Sequence, residues 1–294
     1  MINKTFYKTF IILFLVSGCQ NKKKELEKYD QNVMNAMVLY IEEDYQASLQ
    51  KFNDALELNV GDNTKVNDYF FAAAAALKLG DTSLAKETII SSIVNTDASK
   101  EYFLSFKEFD SFRSLTLFNE ISDSYEDYRN EYFKKGNNPN LNKVMDSLLK
   151  EDQAIRNTKD STINMREKDS LIILKLIDLT KKHGWQNKAW LLLWHQRDTF
   201  KEKNYVWNYF YPLINEEIEK GNIRKGFWSN FEDQNSIMED GTQIFGTYMQ
   251  QFDLFPLRDV TNIDKLRDSI GLPPLWYFNK VYGYPLPQGY KASK

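Results

Sequence analysis

Two stretches near the start of the chain share one spacing of small and large residues, and this spacing restricts the fold more than any other feature. At intervals of four and three residues, each stretch places a small, a large and a small residue on one helical face: Ser48, Phe52 and Ala55 in the first, and Ala85, Ile89 and Ser92 in the second. Residues at these intervals lie on the same side of an α-helix, and small side chains there let a second helix approach closely. The spacing therefore predicts helices packed in pairs.

The pattern resembles the second helix of the tetratricopeptide repeat. Counting back from Gly80 puts four residues at the matching positions of a first helix: Tyr69, Ala72, Ala73 and Ala76. The interval from Phe52 to Ile89 is 37 residues (89 − 52), against about 34 in that family, and the loop at 59–64 accounts for the surplus. In the first repeat, Asn32 and Asn35 stand where large residues are usual.

A run of aromatic residues follows these repeats. Beyond residue 97, large apolar residues recur every three positions: Phe103, Phe106, Phe109, Phe112, Leu115 and Phe118. We expect a helical pair that caps the array, which then covers residues 29–133. Two repeats are fewer than the roughly three that a free-standing array needs, so the aromatic run is expected to pack onto a second domain. The array is interpreted either as a peptide-binding groove or as a spacer that carries the other domain.

The N-terminus has the features of a secretion signal. Lys4 and Lys8 precede an apolar run at 10–16, which is too short to span a bilayer but typical of a signal peptide. The run ends in Val-Ser-Gly-Cys at 16–19, which resembles the lipobox of bacterial lipoproteins. We expect a lipoprotein signal peptide at 1–18, a lipid on Cys19 and a polar tether at 19–28; the alternative is an ordinary secretory signal. Gln20 after the cysteine favours the outer membrane, with the protein facing the periplasm or the surface.

Composition excludes several classes of function. The net charge is −3, whereas a nucleic-acid-binding protein needs a basic face. The chain has two histidines and one cysteine, which leave little room for a histidine-based metal site and allow no internal disulfide. No phosphate-binding glycine loop, metalloprotease motif or nucleophile signature is present. We therefore predict no metal and no cofactor. The expected partners are the membrane, through the lipid, and a protein or peptide, through the repeats.

Turn-forming residues at 134–140 mark a linker, and a second domain is expected at 141–284 with an irregular tail at 285–294. The second domain opens with a helical stripe spaced four and three residues apart: Leu141, Met145, Leu148, Asp152 and Ile155. A buried carboxylate needs a partner, and Arg156, one turn further on, is a candidate for Asp152. The alternative is that Asp152 lies at the edge of the stripe, in water.

The two histidines receive different interpretations. His183 follows two lysines and precedes Gly184, an arrangement typical of a helix C-terminus. His195 shares a predicted helical face with Leu191 and Asp198. It is interpreted either as a hydrogen-bonded core histidine or as a group that transfers protons, since histidine alone titrates near neutrality without help.

An Asp-Gly pair at 240–241 lies in the most unusual run of the chain, residues 239–249. Asp-Gly is the pair that a two-residue type I′ hairpin favours, because both central residues need positive φ. We therefore predict one small β-hairpin in an otherwise α-rich domain. The hairpin is interpreted as a binding site or as a brace between helices.

Several short motifs occur in one order across the second domain. They are Asp152-Gln153 with Arg156, Gly184-Trp185, His195, Asp233, the run Gly-Thr-Gln-Ile-Phe-Gly-Thr at 241–247, and a C-terminal group ending in Gly-Leu-Pro-Pro-Leu at 271–275. Together they resemble a bacterial family described only as a domain of unknown function, number 6624, which often follows signal peptides. The chain departs from the family pattern at Gln234, where the family tends to have Arg, and at Tyr248, where it tends to have Gln.

The resemblance implies a set of site residues but no reaction. Ligand-binding candidates are Gln153, Arg156, Thr242, Gln243 and Thr247. One hypothesis is a cell-envelope lipoprotein that binds or scaffolds a ligand or protein. The alternative is a hydrolase-like enzyme with His195 as the acid–base group, Asp152 or Asp233 as its carboxylate partner, and Gln243 or Thr242 orienting a ligand. A solute-binding lipoprotein is the least favoured, because the two α/β lobes usual in that class are not predicted. Convergence of His195, Asp152, Asp233 and Gln243 on one pocket would favour the enzyme.

Overall fold

The computed structural model describes residues 4–58, 60–157 and 164–292, with side chains from residue 21 onward. These residues are mainly helical and form no sheet. The helices of the first half are α1 (Lys4–Ile41), α2 (Tyr45–Leu56), α3 (Val66–Lys78), α4 (Thr82–Asn95), α5 (Lys100–Ser105), α6 (Thr116–Asp123) and α7 (Tyr125–Lys134). Those of the second half are α8 (Pro139–Asn157), α9 (Met165–His183), α10 (Trp190–Trp194), α11 (Tyr205–Glu219), α12 (Ser229–Asp240), α13 (Ile263–Ser269) and α14 (Leu275–Tyr282).

The first four helices pack in chain order, α1 on α2, α2 on α3 and α3 on α4. Asp44 and Asp81 begin α2 and α4, and each carboxylate accepts a hydrogen bond from a backbone N–H in the first turn. Such N-caps satisfy donors that the helix itself leaves free. The small and large residues that define the repeat spacing are all buried: Ser48, Phe52, Ala55, Ala85, Ile89 and Ser92. The predicted helices and their buried faces are confirmed, while membership of the tetratricopeptide family stays a prediction.

The aromatic run packs inside the first half. Phe103 and Phe109 are fully buried and contact Phe70 of α3 and Phe118 of α6. A short 3-10 helix at 107–112 lies between α5 and α6, so the run is not one regular helical pair. These aromatics fill the core of the first half, and the second half meets that core through its last helix, α14.

Other residues join the two halves. Arg224 donates to both carboxylate oxygens of Asp30 on α1, over 2.8–3.0 Å, and to the side chain and carbonyl of Asn63. In addition, the last helix, α14, returns to the first half. Tyr277 is buried in the core formed by α1, α3 and α4, and Trp276 and Phe278 pack against it. The division at 134–140 therefore separates the chain in sequence, but α14 packs with the first half.

Residues 21–28 belong to α1, and one side of this helical stretch packs against the protein, so the expected polar tether is wrong for them. Leu26 is 5% exposed. Lys22 hydrogen-bonds Asn222, and Lys23 forms an ion pair of 2.6 Å with Glu219. The side chain of Cys19, the predicted lipidation site, lies outside the described side chains.

The predicted β-hairpin is also wrong. Residues 229–240 form α12, and Gly241 is the left-handed residue that ends it, with φ of 78°. Many helices end at a glycine with positive φ, and a type I′ turn also contains residues with positive φ, so an Asp-Gly pair is compatible with either structure. In the described chain, the extended pairing here is a single parallel bridge between Gln243 and Leu257.

Candidate functional site

The apolar stripe of α8 places Asp152 in the interior, where it is 2% exposed. Its predicted partner is present, because Arg156 Nη2 lies 3.0 Å from Asp152 Oδ1. Gln153 Nε2 donates to the other carboxylate oxygen over 2.8 Å. The interpretation of Asp152 as a solvated edge residue is therefore wrong.

His195 joins this pair from the end of α10. The helix stops at Trp194, and His195 follows it with its N–H bonded to the carbonyl of Leu191. His195 Nδ1 lies 2.9 Å from Asp152 Oδ1 and 2.8 Å from Arg156 Nε. The side chain of His195 is 12% exposed.

The position of one proton decides which of these contacts is a hydrogen bond. With the proton on Nδ1, the imidazole donates to Asp152 and Nε2 is an acceptor. With the proton on Nε2, Nδ1 accepts from Arg156 and Nε2 becomes a donor. None of the described residues bonds to Nε2. The imidazole can thus present either a base or an acid at its open nitrogen.

Asp169 on α9 completes the group, which we call the His195 cluster: Asp152, Arg156, Asp169 and His195. Arg156 Nη2 donates to Asp169 Oδ1 over 2.8 Å. Burial raises the pKa of Asp169, and the Asp152 carboxylate raises it further, while Arg156 opposes the shift. With neutral histidine the cluster carries two negative charges and one positive charge.

Asp169 is not among the candidate residues that the sequence motifs indicate. It lies near the start of α9, which begins at Met165, where the Asn164 side chain caps the helix by accepting from Glu167 N. That asparagine was the available signal, since Asn is a favoured N-cap residue. Extending the helix back to it places Asp169 in its second turn.

A second polar group surrounds Asp233 on α12, which is fully buried. Its carboxylate accepts four hydrogen bonds of 2.6–2.8 Å, from the backbone N–H groups of Ile244, Phe245 and Thr247 and from the Thr247 hydroxyl. These bonds hold the 241–258 segment against α12. Asp233 therefore acts as an anchor for the segment backbone.

The other candidate residues in this segment also form hydrogen bonds with groups of the protein itself. Gln243 is fully buried; its Nε2 donates to the carbonyl of Phe255 over 2.6 Å, and its Oε1 accepts from Tyr248 N over 2.8 Å. Thr242 bonds to Asp240 through both its backbone N–H and its hydroxyl. None of these bonds joins Asp233 or Gln243 to His195 or Asp152. The convergence of four residues that would favour the enzyme is thus seen for one pair only, His195 with Asp152.

The two positions at which the chain departs from the family pattern contact each other. The Tyr248 hydroxyl donates to Gln234 Oε1, which links the 241–258 segment to α12 beside the Asp233 anchor.

Two features are absent from the described part of the chain, a metal-binding group of side chains and a membrane-spanning helix. No three acidic, histidine or cysteine side chains are placed to share a metal ion there. None of the helices, as far as they are described, is both long and apolar enough to cross a membrane.

Comparison with known proteins yields no relative from which a role could be transferred. No protein-family model matches the chain, and no curated protein or solved structure gives a significant match. The family resemblance therefore remains a prediction that depends on the quoted motifs, and the site is interpreted from its own geometry.

Proposed function

We propose that the protein is a lipid-anchored protein of the cell envelope, held at the outer membrane through Cys19, that binds a ligand at the His195 cluster. In this proposal the tetratricopeptide-like front half is a scaffold that also offers a surface to a protein or peptide. The observation that carries the ligand site is the convergence of charged side chains from α8, α9 and the end of α10 around an imidazole with an open Nε2.

If the cluster served only to join three helices, its charged side chains would be energetically less favourable there than apolar ones. Removing charges from water costs several kcal/mol per ion, and apolar residues of similar volume often stabilise a fold as well or better. In this cluster the penalty falls mainly on Asp152, which is 2% exposed, since the side chains of Arg156, Asp169 and His195 are 24, 19 and 12% exposed. A group of charges that shares a partly shielded site with a histidine is a candidate for a functional site. The cost is therefore an argument for a function at His195.

A second candidate, a hydrolase-like enzyme, is favoured by one specific contact. Asp152 Oδ1 lies 2.9 Å from His195 Nδ1, so the carboxylate can orient the ring and stabilise the imidazolium while Nε2 takes a proton from water or a hydroxyl. Asp233 and Gln243 have no part in this proposal, because their polar atoms bond to the 241–258 segment.

We expect a ligand of the His195 cluster to raise the melting temperature of the wild type and of Asp178→Asn, but not that of His195→Gln. Asp178 is an exposed carboxylate on α9 and controls for a change of charge alone. The measurement is a thermal-shift screen of polar metabolites followed by calorimetry. A compound that stabilises all three proteins equally would place its site elsewhere and contradict the proposal.

The enzyme candidate is tested with the same variants on chromogenic esters, glycosides and phosphodiesters. General acid–base catalysis contributes about 10²–10⁴-fold in rate, so any turnover should fall by that factor in His195→Gln and remain in Asp178→Asn. Binding without turnover would leave the ligand-binding proposal standing and refute the enzyme.

The anchor is tested separately by replacing Cys19 with serine. Two or more acyl chains give stable attachment to a membrane, whereas a single chain gives marginal attachment. We expect the wild type to partition into the detergent phase of Triton X-114 and to incorporate labelled palmitate, and Cys19→Ser to do neither. Asn21→Ser is the matched control, and equal partitioning of all three proteins would contradict lipidation at Cys19.

A further inference from the structure

A cavity of about 640 Å³ lies between the two halves of the chain, away from the residues of the His195 cluster. Its walls come from the start of α3, the ends of α4 and α7, the first turns of α8 and the loop between α9 and α10. Ligand sites are common at such junctions between structural units. The chemical groups on the walls of this cavity therefore indicate which kind of ligand it could bind.

The walls are unusually rich in amide side chains. Six of the residues that line the cavity carry one: Asn95, Asn137, Asn138, Asn142, Gln186 and Asn187. An amide offers two donors on its nitrogen and an acceptor on its oxygen. A surface of this kind recognises a ligand by hydrogen bonds and not by charge.

Both ends of the Asn187 amide bond to protein groups, and Asn95 Oδ1 accepts from Lys135 Nζ. In three other residues only one end of the amide is fixed by the protein. Asn137 Nδ2 donates to the carbonyl of Tyr132 over 2.8 Å, and Gln186 Nε2 donates to carbonyls at 183–185 over 3.2–3.3 Å. Asn138 Oδ1 accepts from the backbone N–H groups of residues 140 and 141. The opposite ends, two oxygens and one nitrogen, have no hydrogen-bond partner among the described residues.

Asn142 adds a second unused nitrogen. Its Nδ2 is shielded from solvent and makes no hydrogen bond of full geometry with a described residue, although the hydroxyl of Tyr132, another wall residue, is near enough to interact with it. A shielded donor without an acceptor costs about 1–3 kcal/mol, which a ligand acceptor would recover. The wall thus offers two amide nitrogens and two amide oxygens, at fixed positions, to whatever occupies the cavity.

The charged residues of the wall cancel one another. Lys188 forms ion pairs with Asp97 and with Asp146, the latter over 2.9 Å. The other two charged wall residues, Asp62 and Lys65, have opposite signs. With neutral histidine, the lining therefore has no net charge with which to select an anion or a cation.

We propose that this cavity binds an uncharged polyhydroxylated ligand, a small saccharide. Each hydroxyl group is at once a donor and an acceptor, so a sugar can pair with the open amide oxygens and nitrogens together. An apolar ligand would leave these polar groups desolvated without partners, which is costly. A charged ligand would lose hydration without a counter-charge to replace it.

The test is binding of the full mature chain to an array of neutral and acidic glycans, followed by calorimetry with neutral di- and trisaccharides such as chitobiose, cellobiose and maltotriose. We expect a neutral glycan to bind and the acidic glycans to bind more weakly. Asn142→Leu keeps the side-chain size but removes the amide, and we expect it to reduce affinity about tenfold, the equivalent of one hydrogen bond.

Asn208→Leu is the matched control, because Asn208 is exposed on α11 outside the cavity. Circular dichroism and the melting temperature establish that both variants are folded. If Asn142→Leu does not fold, Asn142→Asp, which adds a negative charge at the same place, is used and should also weaken binding. Failure of every neutral glycan to bind, stronger binding of acidic glycans, or equal affinity of the Asn142 and Asn208 variants would overturn the proposal. None of these outcomes bears on the His195 cluster.

Discussion

Asp233→Ala is expected to lower the free energy of unfolding by about 4 kcal/mol, the largest effect of any single substitution considered. The carboxylate is fully buried and accepts four hydrogen bonds from the 241–258 segment. Its removal leaves three backbone N–H groups without their acceptor, and each buried unsatisfied donor costs about 1–3 kcal/mol. The measurement is urea unfolding followed by circular dichroism, with the slope of the transition checked for constancy.

Asp259→Ala is the matched control for Asp233. Asp259 also accepts from two backbone N–H groups, those of Thr261 and Asn262, but it is only partly buried, and these bonds lie at the surface. Water can replace its carboxylate, so we expect a much smaller loss of stability. Similar losses for the two variants would mean that Asp233 does not anchor the segment as described.

Arg267→Met is expected to cost about 3 kcal/mol. Arg267 is 1% exposed; its Nε donates to the carbonyl of Pro273 over 2.6 Å, and its Nη1 donates to the carbonyls of Phe245 and Gly246 over 2.5 and 3.3 Å. Methionine fills similar space but leaves these carbonyls without donors. Burial lowers the pKa of Arg267 to about 10, against the favourable charges of Asp233 and Asp264, so the guanidinium is still charged at neutral pH.

The control for this substitution is Arg258→Met. Arg258 forms an ion pair of 2.6 Å with Asp240, but both side chains are nearly half exposed. Exposed ion pairs contribute about 0–1 kcal/mol, so the control should remain close to the wild type in urea unfolding. An Arg267→Met protein as stable as the control would show that backbone carbonyls at 245–246 find other donors.

Interactions within one helix could be predicted from the sequence. Asp152 and Arg156 are four residues apart on α8, so the apolar stripe was sufficient to bury one and to offer the other as its partner. The contact of Asp152 with His195 spans 43 positions. This contact depends on how α8, α9 and α10 pack, which the spacing of residues within one helix does not specify. The sequence therefore indicated the candidate residues but could not predict that they contact each other.

The predicted hairpin is wrong because a glycine with positive φ occurs both in a type I′ turn and at the end of a helix. What distinguishes them is the stretch before the Asp-Gly pair, where Ser229, Asp233 and Ser236 are buried at intervals of four and three residues. This is a helical stripe, but its members are polar, and a search for apolar periodicity overlooks it. The role of Asp233 was hidden for a related reason, since its partners are backbone N–H groups that only the path of the chain brings together.

A helical spacing of buried residues also occurs at 26–33, a stretch that overlaps the predicted tether at 19–28. Leu26, Tyr29 and Val33 are spaced three and four residues apart and pack together, but the lysines at 22–24 give the stretch the composition of a solvated linker. Tyr29 is fully buried and donates to Asp68 of α3, whose pKa burial raises. The lysines of this stretch thus reflect its solvent-exposed side, whereas the spacing of its apolar residues reflects the side that is buried.

The return of α14 to the first half has a consequence for the order in which the protein matures. Tyr277 belongs to the same core as α1, α3 and α4, so that core lacks one of its walls until α14, residues Leu275–Tyr282, has been synthesised. The early helices can form as they emerge, because their contacts are local, but the apolar surface under α14 stays uncovered meanwhile. We therefore expect a chain cut short before residue 275 to keep that apolar surface exposed to solvent.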